Sequence, residues 1–120
     1  MNIQDRLIEA AARALHVPLM PAPGGLGVPS AVYRCFPGRS DGALCAARLE
    51  VRVFHHSLSA AAEEIEALSR AIVSDGDTGI LGKGGDSLVV CRTADGAGSG
   101  YLRGTDLYFV KAAFEAEGRV

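Results

Sequence analysis

Residues 43–54, ALCAARLEVRVF, alternate with a period of two, and residues 58–72, LSAAAEEIEALSRAI, repeat with helical spacing. Ala43, Cys45, Ala47, Leu49, Val51 and Val53 take every second place and are all apolar. Leu44, Ala46, Arg48, Glu50, Arg52 and Phe54 lie between them. Successive side chains of a strand point to opposite faces, so the odd-numbered set is expected in the core. The even-numbered set then forms an amphipathic face turned to solvent or to another protein. A strand with one buried face needs a covering layer. The helix that follows supplies one, because Leu58, Ala61, Ile65, Leu68 and Ile72 step by three, four, three and four into one apolar stripe. Ser57 or Ser59 can cap its start, and Glu63, Glu64 and Glu66 early with Arg70 late complement the helix dipole.

The remaining segments fit around this unit. Ile3, Leu7, Ala11 and Ala14, widened by Ile8 and Leu15, share one face of a first helix that Asn2 caps and Pro18 stops. Residues 17–30, VPLMPAPGGLGVPS, hold four of the five prolines and read as an irregular connector. AVYRCF (31–36) is a short strand and PGRSDG (37–42) a turn. DGDTGILGKGGDS (75–87) reads as a flexible loop with room for a short strand, SLVVCRTA (87–94) as a strand and DGAGSG (95–100) as a turn. A last strand is expected from Tyr101 to Glu117, with a bulge at Gly104. Its apolar face carries Tyr108, Val110, Ala112 and Phe114, and its mixed face Leu107, Phe109, Lys111, Ala113 and Glu115. The order α-β-β-α-β-β predicts an α+β fold: a four-stranded, mostly antiparallel sheet with two helices packed on one face, as a single domain over residues 1–120.

Composition narrows the function. A net charge of −2 with only two lysines among 12 basic residues leaves no basic footprint for nucleic acid. The N-terminal stretch MNIQDRLIEAAARAL carries Asp5 and Glu9 and does not read as a signal peptide, and no apolar run is long enough for a membrane span. Cys35, Cys45 and Cys91 are odd in number and form no CxxC pair, which fits free thiols in a reduced compartment.

The chemistry-bearing residues are sparse. His55 and His56 are adjacent, so in a strand they face opposite ways; His16 is distant, and a zinc site needs three or four ligands. They are expected to mark a strand end, with one ring half-buried and one exposed. A Cys–His nucleophile would need Cys91 to approach His55 across strands, since Cys45 lies ten residues away along the same strand. GILGKGG (79–85) lacks both the first glycine and the Ser or Thr of a P-loop, and GAGSG (96–100) is not GxGxxG. No catalytic residue, metal site, cofactor or small-molecule substrate is expected.

The helix IQDRLIEAAARAL, the cadence LEVRVFHHS running into AAAEEIEALSRAI, the glycine-rich loop and the closing TADGAGSGYLRGTDLYFVKA together resemble the minor capsid and tail-terminator (head–tail joining) proteins of long-tailed bacteriophages. The resemblance covers nearly the whole chain at the level of pattern. It implies a virion subunit that forms a six-fold ring with itself, caps the tail tube protein and meets the head–tail connector protein. Its place would be the tail–head junction, after assembly in the bacterial cytoplasm. Arg48, Glu50, Arg52, Phe54, His56, Lys83 and Arg103 are the candidate interface residues. Two other readings stay open: a cytosolic α+β binding or adaptor module without catalysis, and a small Cys–His or acid-based enzyme.

Overall fold

The computed structural model describes residues 2–22, 27–39, 44–76, 78–81 and 89–119. The elements in chain order are α1 (Ile3–Ala14), β1 (Leu19–Pro21), β2 (Ser30–Pro37), β3 (Leu44–His55), α2 (Leu58–Ile72), β4 (Thr78–Leu81), β5 (Val89–Leu102) and β6 (Leu107–Arg119). The fold is α+β, with two helices and one mixed sheet of order β1-β2-β3-β6-β5-β4 among the described residues. β1 runs parallel to β2, and every other neighbouring pair is antiparallel.

In place of the expected four strands, the described residues form six. One addition is β1, inside the proline-rich connector. It sits at the sheet edge, where a proline's missing N–H removes no needed ladder bond. The Pro18 carbonyl accepts from the Ala31 N–H at 2.8 Å, and Ala22 N–H donates to the Tyr33 carbonyl at 2.9 Å. The other addition is β4, which pairs Thr78–Leu81 with Arg92–Val89.

A second correction concerns residues 95–100. They form no turn but the middle of β5, with a bulge between Ala94 and Gly98. The true turn lies at residues 103–106, where Gly104 adopts φ +82°, so Gly104 marks the turn and not a bulge. The last strand accordingly starts at Leu107, six residues later than expected.

Glycine lets β5 pass because its open-face positions need to be bare. A Cβ on Gly98 would meet Lys111 Cε at 3.1 Å, and one on Gly100 would meet the Phe109 ring at 2.7 Å. Gly96, with φ +133°, sits under the Arg48 guanidinium and Ala113. Large side chains of β3 and β6 thus lie down over a strand stripped of its own.

Four odd-numbered residues of β3 are buried as expected, with Cys45 only half-buried and Ala43 outside the described residues: Ala47, Leu49, Val51 and Val53 join Phe114, Ala112 and Ala116 of β6 and Val89 and Cys91 of β5. Ile3, Leu7, Ala11 and Leu15 from α1, with Ala61, Leu68 and Ile72 from α2, close the same core. Both helices therefore cover one face of the sheet. Asn2 Oδ1 accepts from Asp5 N–H to cap α1, and Ser57 does the same for Ala60 N–H at α2.

The apolar stripe of α2 differs in two places. Leu58 is 44% exposed, whereas Glu64, read as part of an acidic first half, is only 7% exposed. Its carboxylate accepts from the His16 backbone N–H at 2.9 Å and contacts His16 Nδ1 at 3.0 Å. A buried carboxylate that satisfies a backbone donor just past α1 ties the two helices together.

Candidate functional site: the open face of the sheet

The side of the sheet away from the helices carries the even-numbered residues of β3. Arg48, Glu50, Arg52 and Phe54 stand there in a row, flanked by Val32 and Arg34 of β2 and by Phe109, Lys111 and Glu115 of β6. The alternation in β3 brings the first four together, and the β3–β6 register adds the rest.

At one end the face is an ion-pair network. Arg48 Nε donates to Glu50 at 3.2 Å and its guanidinium reaches Glu115 at 3.4 Å, while Arg92 of β5 donates to the same Glu115 at 2.8 Å and lies 3.8 Å from Glu117. Arg48 also donates to the Asp95 carbonyl across the β5 bulge. The Glu115 hydrogen bond, reinforced by the charges of Glu115 and Glu117, holds the Arg92 guanidinium above its ordinary value. Exposed pairs of this kind stabilise little one by one; linked across three strands they fix the side chains in place.

At the other end the pattern changes. Arg52 stands directly opposite Lys111 in the β3–β6 register, two like charges side by side. Arg52 turns over the Phe109 ring, 5.2 Å from its centroid, and Phe54 lies 6.5 Å from the same ring. A hollow of about 270 Å³ opens here, lined among others by Val32, Arg34, Glu50, Arg52, Phe54 and Lys111. Arg34, Arg52 and Lys111 have no carboxylate within ion-pair distance among the described residues.

The other candidates fall elsewhere. His56 is exposed beyond the end of β3, in a shallow depression with Tyr101, Asp106 and Tyr108. Arg103 is exposed in the β5–β6 turn, away from the β3 row. Lys83 lies outside the described residues, as does most of the GILGKGG stretch. Sequence reasoning did not select Arg34, Lys111 and Phe109. Lys111 and Phe109 share the mixed face of β6, but only strand register shows that they meet Arg52 and Phe54.

The histidines mark a junction. His55 is the half-buried last residue of β3 and His56 is exposed, as expected for a strand end. His55 Nδ1 accepts from the Ser57 N–H at 3.4 Å where α2 begins. Cys91 cannot reach His55. Their β6 partners are Ala116 and Tyr108, eight residues apart, which is about 26 Å along a strand. Burial pushes the Cys91 thiol up to about 11, far from a reactive thiolate. No group of three or more His, Cys, Asp or Glu among the described residues could hold a metal ion. No described helix is long and apolar enough to cross a membrane.

No family model matches the chain, and no curated protein matches it in sequence. Among solved structures, the fold is similar to a chain of the virion of a native gene transfer agent particle, with TM-score 0.62 and 13% identity over 98% of this chain and 95% of that one. A second solved structure superposes with TM-score 0.54 at 15% identity, covering 99% of this chain and 98% of its own. At such identities what is shared is the fold.

Proposed function

We propose that this chain is a structural subunit of a phage-like virion, and within it a tail terminator: a ring, six-fold by the family pattern, that caps the tail tube and joins it to the head connector. The whole of residues 1–120 serves as one domain, with residues 17–30 as its connector. The observation that carries the reading is a fold shared from end to end with a chain of a gene transfer agent virion. The open sheet face supports it. The twelve-residue β3 exposes one side that no described helix covers, and at one end of it the side chains are held by the ion pairs of Arg48, Glu115 and Arg92. Such a preorganised mixed surface suits assembly more than turnover. Arg48, Glu50, Arg52, Phe54, His56, Lys83 and Arg103 are the residues assigned to subunit and partner contacts.

Deletion of the gene in cells that make the particles tests this. Electron micrographs should show heads without tails beside tubes of uncontrolled length. Normal joined particles from the deletion strain would refute the terminator role, and particles that never contain the chain would refute the virion role.

A further inference from the structure

The basic end of the open face holds charge that no carboxylate among the described residues pairs. Arg52 and Lys111 are paired across β3 and β6, an arrangement in which like charges destabilise the strand pair. Arg34 lines the same hollow. The one carboxylate among its described lining residues, Glu50, is engaged by Arg48 at 3.2 Å. Phe54 and Val32 also line the hollow, so an incoming group would meet three cations beside apolar side chains.

The helix layer on the opposite side of the molecule shows the converse. Ser59, Ala62, Glu63, Glu66 and Arg70 are all exposed on α2 and share one helical stripe by their spacing of three and four. Glu63 has no ion-pair partner among the described residues, and Glu66 only the exposed Arg70 at 3.4 Å. Ser59 and Ala62 are small enough for a close approach. Most other carboxylates of the helices and sheet are engaged: Glu9 with Arg13, Glu64 with His16, Glu115 and Glu117 with Arg92.

We propose that the basic hollow of the open sheet face seats helix α2 of a second copy of this chain, with Glu63 and Glu66 set against Arg34, Arg52 and Lys111. The two surfaces lie on opposite layers of one molecule, so the contact is head-to-tail. A heterologous contact repeats from copy to copy and closes a ring when its rotation allows, whereas a two-fold dimer would use one patch twice. This names the subunit contact of the ring proposed above and rests on that reading.

Charge reversal on the full chain tests it, read by native mass spectrometry and light scattering, with circular dichroism as the folding control. Arg52→Glu and Lys111→Glu, separately, and Glu63→Lys should each weaken self-association by about tenfold or more. The double variant Arg52→Glu with Glu63→Lys should restore most of it. Lys111→Glu keeps the test open should Arg52→Glu fold poorly. Oligomers indifferent to all three reversals would overturn this interface and leave the virion reading intact. A chain that stays monomeric at every concentration would overturn it as well. Oligomers that respond as expected, from a gene whose deletion leaves particles normal, would instead sink the virion reading alone.

Discussion

Val51 and Arg52 are neighbours in sequence and opposites in environment, so an acidic residue at each position separates the two faces of β3 directly. Val51 is 1% exposed in the core between the sheet and the helices, whereas Arg52 is exposed on the open face. Val51→Asp forfeits about 1.5–3 kcal/mol of apolar burial. It also places a carboxylate where no described cation waits, which adds several kcal/mol after relaxation. The sum, roughly 5 kcal/mol or more, matches the entire stability of many domains of this size. Arg52→Glu loses a cation–π contact with Phe109 worth about 0.5–1 kcal/mol. It also replaces the like-charge pair with Lys111 by an opposite-charge pair, worth about 0.2–1 kcal/mol. The two effects nearly cancel. Urea denaturation followed by circular dichroism is the assay: Val51→Asp should be unfolded or molten without denaturant, and Arg52→Glu should stay within about 1 kcal/mol of wild type. Equal destabilisation by the two substitutions would refute the assignment of faces.

Other outcomes follow from single contacts. Gly79→Ala would drive a Cβ into the Ile72 carbonyl oxygen and to 2.8 Å from Val73 Cα; backbone cannot step aside cheaply, so a loss at or above the upper end of about 1–3 kcal/mol is expected in the same denaturation assay. Glu64→Ala removes the acceptor for the His16 N–H and should cost about 1–3 kcal/mol, with faster amide exchange at His16 as the local signature. Cys91 keeps its proton in the fold up to about pH 11, against 9.0 for the free thiol. The unfolded chain thus ionises first, and the stability that the buried thiol contributes is whole below pH 9 and lost as pH rises towards 11. Consistent with that, Cys91 should be the slowest of the three cysteines to react with a thiol reagent at pH 8, read by peptide mass spectrometry.

The legible parts of the fold were those written as long periodic patterns. The alternation from Ala47 to Val53 and the helical spacing of α1 and α2 predict most of the buried residues, although Ile8, Ala14 and Ile65 are only partly buried and Leu58 is exposed. Of the short edge strands, β4 was legible only as room for a strand in the 75–87 loop, and β1 not at all. β1 has three residues, the last of them Pro21, and β4 has four, one of them Gly79; each exists because a neighbouring strand offers an edge. Local composition does not show which edge a short strand will join. The misread glycines are instructive in another way. Gly96, Gly98 and Gly100 recur with period two, which is itself a strand signal. Their meaning depends on Arg48, Lys111 and Phe109 lying above them, a fact of register. Glu64 was hidden for the same reason, because its partner lies 48 residues earlier. At the candidate site, the β3 row could be read from alternation alone, whereas Arg34, Lys111 and Phe109 entered through strand pairing.

Hydroxyl-radical footprinting compares the open face in the free chain and in the intact particle, with Phe54 and Phe109 as reporters. Both rings sit on the uncovered side of the sheet beside Arg52. Fast oxidation of the two in the isolated chain and strong protection in the particle is the expected result. Equal oxidation of both rings in the two samples would contradict an assembly role for this face.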